Sequence, residues 1–137
     1  MSSTTFSGPV TSTNGFVGAV TGNITGNVTG NVTGDLTGRV IGTTQNLSGS
    51  GAVNVTTTTT KVTTGAGAAA LTLANGTDGQ IKAIVMVVDG GGDATLTPTT
   101  KTGFATLTFA DAGDSVILQY FTTLGWMVLS NNGATVG

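Results

Sequence analysis

Few residues in this 137-residue sequence have side chains that support catalysis or metal binding. The chain contains no cysteine and no histidine, so it lacks the Ser-His-Asp and Cys-His arrangements of nucleophilic catalysis. The same absences remove the nitrogen and sulfur ligands that zinc usually takes. We therefore predict that the protein is not an enzyme and that it has no catalytic residue, no metal and no cofactor.

Four aspartates lie in two glycine-containing turns, where carboxylates raise the question of calcium binding. The stretch "DGGGD" places Asp89 and Asp93 on one loop, and calcium takes oxygen ligands on flexible loops. A turn that connects two strands has the same composition, and two carboxylates are few for calcium. We interpret this loop as a turn, and we interpret Asp111 and Asp114 in "ADAGD" in the same way.

One glycine-rich stretch matches a nucleotide-binding motif by spacing. "GAGAAA" at 65–70 has the dinucleotide fingerprint at Gly65, Gly67 and Ala70. That motif must follow a strand and open a helix, whereas here it continues into "LTLANG", a predicted strand and turn. We therefore predict no nucleotide site.

The charge balance argues against nucleic acid and membrane partners. Charged residues make up 7% of the chain and the net charge is −2, against roughly 25% charged residues in average soluble proteins. With four cations in all, no basic patch can neutralise a phosphate backbone. The longest apolar run, "AIVMVV" at 83–88, is far too short to cross a bilayer.

Residues 21–40, "TGNITGNVTGNVTGDLTGRV", repeat with a period of four. Because strand side chains alternate with a period of two, an extended chain places all the branched apolar residues and glycines on one face and the polar residues on the other. A helix would distribute the apolar residues around its axis. The apolar row of the repeat consists of Val20, Ile24, Val28, Val32, Leu36 and Val40, separated by Gly22, Gly26, Gly30, Gly34 and Gly38.

A strand of this length cannot be stable alone, because its backbone groups need partners and its apolar row needs cover. Since no other segment of the chain has a matching long strand, we predict that residues 19–42 form an intertwined trimeric β stalk. Three identical chains would wind about one axis with their apolar rows inward. The alternative is a mobile low-complexity linker, which would have no reason to keep its apolar residues in register.

Two short segments flank the predicted stalk. Residues 1–18 contain Phe6, Pro9 and Phe16 among small polar residues, and we interpret them as a docking arm with these three anchors. The alternative for this segment is a frayed terminus. Residues 43–51, "TTQNLSGSG", show a shift in composition and are interpreted as a hinge.

Residues 52–137 have the pattern of short strands between turns, which predicts an all-β unit. We expect a small antiparallel β-sandwich or jelly-roll-like knob. Its core is predicted to include Tyr120, Phe121, Trp126 and Val128. The stretch "IKAIVMVV" is nearly all apolar, so it is predicted to be a central strand covered on both sides. The predicted strands are 52–57, 60–64, 68–73, 80–88, 93–98, 105–109, 114–121 and 125–130.

Four stretches in succession carry a resemblance to a known group of proteins: "FSGPVTSTNGF", "TGNITGNVTGNVTGDLTG", "DGQIKAIVMVVDGGGDATLTP" and "FADAGDSVILQYFTTLGWMVLSNNG". Together they cover nearly the whole chain, and their combination resembles small structural proteins of tailed phages, notably from marine and cyanobacterial hosts. The resemblance implies a virion component, generally homotrimeric, of the capsid decoration (cement), head-fibre or tail-fibre type. It implies no catalytic residues.

Within that group, the small size favours a decoration protein. A short arm, a thin stalk and one knob suit a trimer on the capsid exterior, where it would contact the major capsid protein and bridge capsomers of the icosahedral head. The alternative is a head-fibre or tail-fibre protein whose knob binds a host-surface glycan.

Asp35 and Arg39 generate a test of the predicted stalk. They lie four residues apart on one strand face, roughly 13 Å along the strand, so they cannot pair within a chain but can pair between staggered chains. We expect Asp35→Ala and Asp35→Ala/Arg39→Ala to shift the size distribution of the purified protein in analytical ultracentrifugation. Assembly of both variants that is indistinguishable from wild type would contradict an ion pair between chains.

Overall fold

The computed structural model describes Ser7, Thr33, Asp35 and residues 37–137. The chain divides into two units after Gly38, and the unit of residues 39–137, called the β unit below, holds all the described secondary structure. Its described residues contain strands and no helix, so the prediction of an all-β unit is confirmed. The ten strands are β1 (Thr44–Ser48), β2 (Gly51–Val53), β3 (Thr59–Thr63), β4 (Ala69–Leu73), β5 (Ile81–Val88), β6 (Ala94–Pro98), β7 (Leu107–Phe109), β8 (Ser115–Phe121), β9 (Gly125–Asn132) and β10 (Thr135–Val136).

The strands form two five-stranded sheets. The first sheet has the order β1-β3-β5-β8-β9, and the second has the order β10-β7-β6-β4-β2. Through β6 the chain alternates between the sheets, so that odd strands enter the first and even strands the second. Consecutive strands within each sheet are parallel in this part of the chain. The first six strands are therefore three stacked coils, β1–β2, β3–β4 and β5–β6.

The last four strands close the structure with antiparallel pairs. β8 pairs with β5 and β9 pairs with β8 in the first sheet, while β7 pairs with β6 and β10 pairs with β7 in the second. Both sheets are therefore mixed. The predicted antiparallel sandwich is wrong for the first six strands, because turns such as "DGGGD" pass the chain from one sheet to the other instead of reversing it within one sheet.

The segment 43–51, interpreted from the sequence as a hinge, contains β1 and begins β2. The side-chain amide of Gln45 in this segment joins the first two coils. Gln45 Oε1 accepts hydrogen bonds from the Asn54 backbone N–H (2.9 Å) and from Thr60 Oγ1 (2.8 Å), and Gln45 Nε2 donates to the Ala52 carbonyl (2.9 Å). The strand predicted at 52–57 ends at Val53, because Asn54 Oδ1 accepts the Thr57 N–H and forms a turn.

One apolar core lies between the two sheets. Trp126 is its largest side chain, and its indole N–H donates to the Ala74 carbonyl (2.9 Å), while Tyr120 packs edge-on against it with ring centroids 5.3 Å apart. Of the other predicted core residues, Val128 packs against the core, whereas Phe121 alternates with buried Tyr120 and lies on the outward side of β8. The other buried apolar residues are Val53, Val62, Ala69, Leu71, Leu73, Ile84, Met86, Ala94, Leu96, Leu107, Phe109, Val116, Leu118 and Ala134.

The corner after β5 packs directly on the corner after β3, where backbone meets backbone. The Thr64 N–H donates to the Val88 carbonyl (3.0 Å), and the Gly90 N–H donates to Thr64 Oγ1 (3.1 Å). A Cβ at position 90 would lie 2.3 Å from the Thr64 carbonyl oxygen, whereas a Cβ at Gly67 would meet nothing within 4 Å. Glycine at 90 is therefore required by the close approach of two stacked coils.

We expect Gly90→Ala to lower the free energy of unfolding by roughly 1–3 kcal/mol, because the added methyl group forces the two corners apart. Gly67→Ala is the matched control and should change it by no more than about 0.5 kcal/mol. Urea unfolding followed by circular dichroism measures both. Equal stability of the two variants would contradict the stacking of these corners.

Candidate interaction surface

The two aspartate turns are held by local hydrogen bonds. Asp89 Oδ1 accepts the Gly91 N–H (2.7 Å), and the nearly buried Asp114 accepts the N–H groups of Ala110 (2.8 Å) and Asp111 (3.1 Å) through Oδ2. Each of these carboxylates thus closes its own turn, as the sequence analysis interprets them. Within the described part of the chain, no group of three or more His, Cys, Asp or Glu side chains is placed to hold a metal ion.

The segment with nucleotide-like spacing leads into a strand. Gly65 and Gly67 belong to the corner between β3 and β4, and Ala70 is already the second residue of β4. The predicted continuation into a strand is thus confirmed. The segment opens no helix, which the nucleotide motif requires.

Lys82 lies inside the core, and its burial is not among the predictions from the sequence. It is fully buried on the inward side of β5, beside Ile84, and its Nζ donates to the carbonyl oxygen (2.8 Å) and to Oγ1 (2.9 Å) of Thr57. Burial lowers the pKa of the Lys82 amine from 10.5 to about 8, since removal from water disfavours the charged form. The sequence of β5 carries no signal for this position, because apolar residues occupy both sides of the strand and lysine is seldom fully buried.

The outward side of the second sheet is lined by small residues, mostly threonines. They lie next to one another across the sheet: Thr72 pairs with Thr97, Thr95 with Thr108, and Thr108 with Thr135. Thr95 Oγ1 and Thr108 Oγ1 are 3.3 Å apart. Ala52 and Ala70 complete this side. It therefore presents hydroxyl groups and methyl groups without a large apolar side chain.

The outward side of the first sheet has two halves of different character. On β1 and β3 it is polar, with Thr44, Asn46, Ser48, Thr59, Lys61 and Thr63. On β5, β8 and β9 it is mainly apolar, and we call this half the apolar face. Its apolar members are Ile81, Ala83, Val85, Val87, Ile117, Phe121, Met127 and Leu129.

The apolar face spans three strands and is open to solvent among the described residues. Ala83 is the cross-strand neighbour of Ile117, and exposed fractions reach 51% at Ile81, 41% at Ile117 and 54% at Leu129. The remaining outward residues of these strands, such as Gln119 between Ile81 and Met127, are uncharged. The sequence predicts that β5 is covered on both sides. The core covers its inward side, and the described residues leave its outward side open.

The structure describes part of the predicted stalk and, within the predicted arm, Ser7. Val40 is 72% exposed, its neighbour Ile41 is 74% exposed, and Gly38 has a φ of 135°. Asp35 and Arg39, the predicted interchain pair, are both exposed. The other predicted stalk and arm residues lie outside the described residues: Phe6, Pro9, Phe16, Val20, Gly22, Ile24, Gly26, Val28, Gly30, Val32, Gly34 and Leu36.

No protein-family model matches the chain, and no curated protein sequence matches it. In residues 37–137 and the three isolated residues described before them, no helix is long and apolar enough to cross a membrane.

The burial of the Lys82 amine predicts that the free energy of unfolding rises with pH. Below pH 8 Lys82 is protonated in both the folded and unfolded states, so the cost of burying its charge is constant. Between about pH 8 and 10.5 the folded state releases the proton while the unfolded state retains it, so the free energy of unfolding increases. The full rise should be on the order of 3 kcal/mol.

Urea unfolding at pH 7 to 10.5 measures this rise. Lys82→Met should abolish the part due to Lys82, while Lys61→Met, on the outward side of β3, is the control and should keep it. An equal pH dependence in wild type and Lys82→Met would contradict the assignment.

Proposed function

We propose that this chain is a non-enzymatic structural protein of a tailed-phage virion, a homotrimer that decorates the exterior of the icosahedral head. It would bridge neighbouring capsomers by contact with the major capsid protein. The proposal has two supports: the resemblance of the chain to small phage structural proteins, and the apolar face of the β unit. The second is the structural observation that carries it.

The apolar face supports an assembly role because the core of the β unit is already complete without it. Sixteen apolar residues are buried between the sheets, whereas Ile81, Ile117 and Leu129 remain near half-exposed on the outward side. Large exposed apolar patches on soluble proteins usually mark contacts with other macromolecules. The described residues enclose no pocket, so the surfaces of the unit are what it presents to other molecules.

The proposed mechanism is the sum of many weak contacts made together. A trimer would present three N-terminal arms, each with Phe6, Pro9 and Phe16 as anchors, to adjacent capsomers. Linked contacts raise the apparent affinity because each additional arm binds at a high effective concentration. Such bridging adds buried area to the contacts between capsomers and so would stabilise the shell.

The alternative of a glycan-binding fibre receives less support from the structure. Aromatic platforms for sugar rings need exposed Trp or Tyr, and Trp126 and Tyr120 are 0% and 6% exposed. They pack against each other inside the core. Among the described residues, Trp126 and Tyr120 therefore offer no aromatic platform for a glycan.

Copy number on the virion tests the proposal. We expect hundreds of copies per particle in a quantitative gel of purified virions, with the major capsid protein as the internal standard, because a decoration protein occupies a repeated site on the shell. A count of a few to a few dozen copies would contradict decoration and favour a fibre.

A further inference from the structure

We propose that the apolar face of β5, β8 and β9 is buried against the same face of two further copies of this chain. Three β units would then pack around one threefold axis, with the first sheet facing the axis and the second sheet facing outward. This inference rests on the proposed homotrimer and assigns the surface through which the β units associate.

The composition of β5 is the first argument. In "IKAIVMVV" the inward residues Ile84 and Met86 are fully buried, while the outward residues Ile81 and Val87 are 51% and 43% exposed. A strand that is apolar on both sides is typical of a sheet covered on both faces. One copy of the chain supplies the inner cover, and a second covering layer must supply the outer one.

The chemistry of the face limits what can cover it. The outward side chains of β5, β8 and β9 carry no charge, so a charged partner surface would lose its hydration without gaining an ion pair. The matching surface must be apolar and uncharged. Another copy of the apolar face meets both conditions, and a symmetric assembly brings identical patches together.

The face has the size of a functional apolar patch and a polar boundary. Its eight apolar members expose on the order of 300 Å² of apolar surface, comparable with the largest apolar patch on a typical monomer, which is often functional. Lys61 bounds the face on β3, opposite Val85. Beyond it the same sheet becomes polar, as expected for the part that remains in water.

Two further features of the β unit agree with this orientation. The outward side of the second sheet has small polar residues such as Thr72, Thr97 and Thr108, which suit the solvent side of an assembly. Val40 and Ile41, 72% and 74% exposed, lie a few residues before β1 and are further apolar side chains that the described residues leave uncovered. Three chains joined by a stalk would hold their β units at a high effective concentration.

Distances between spin labels on different chains test the inference. Because the full chain has no cysteine, a single introduced cysteine gives one label per chain, and any dipolar coupling must arise between copies. Ser130→Cys places the label beside Ile117, its cross-strand neighbour. Thr72→Cys, exposed on the outward side of the second sheet, is the matched control.

We expect the distance between labels to be shorter for Ser130→Cys than for Thr72→Cys by roughly 15 Å or more, because two packed sheets are about 10 Å apart. Equal distances, a longer distance at Ser130, or no coupling between chains would overturn the inference. One of these outcomes is expected if a different partner, or the N-terminal part of the same chain, covers the apolar face.

A second variant locates the contact. Ile117→Asp should abolish the short distance in the Ser130→Cys background, while cooperative unfolding of the β unit is retained because Ile117 points away from the core. Persistence of the short distance would overturn the inference. Since the copy number on virions does not depend on which face joins the β units, failure here is distinguishable from failure of the decoration role.

Discussion

The contact between the inward apolar side chains of the two sheets is the interaction on which the rest of the structure depends. It uses alternate residues of most strands, and Trp126, Phe109 and Leu71 are buried there almost completely. Because strand side chains alternate, the same choice that sends Ile84 and Met86 inward sends Val85 and Val87 outward. A strand with apolar residues on both sides therefore builds the core and creates a second apolar surface. That second surface is what connects this fold to a role in assembly.

The stacked coils explain how a folded unit of this size can form with so few charged residues. Parallel pairing of β1, β3 and β5 satisfies backbone groups along the first sheet, and β2, β4 and β6 do so in the second. The polar side chains that are buried have partners within the chain: Thr60 donates to Gln45 on the neighbouring coil, and Lys82 donates to Thr57. No buried side-chain N or O atom among the described residues lacks a hydrogen-bond partner. The fold therefore does not need surface charge, and its outward surfaces can carry apolar side chains or hydroxyl groups.

Alternation was sufficient to predict strands close to β3 through β9 and the all-β class, because period two is visible in one strand at a time. Strand direction was not predictable in this way, since the alternation of "DATLTP" is the same whether its neighbour runs parallel or antiparallel. β1 was missed because "TQNLS" contains one apolar residue, Leu47, and its order comes from pairing with β3 and from the Gln45 amide. The inward position of Lys82 was not predictable, because β5 is apolar on both sides and a buried lysine needs acceptors that only the folded structure supplies. The openness of the apolar face required the structure, since the sequence indicates that β5 needs two covers but not which one the chain itself provides.

The central claim is that copies of this chain cover the apolar face of one another. The molar mass of the full-length protein at micromolar concentration, measured by multi-angle light scattering, tests it most directly. The account predicts a single species of three times the 13.4-kDa chain mass. A stable, monodisperse species of 13.4 kDa would contradict it, because no second copy would then be present to cover the apolar face.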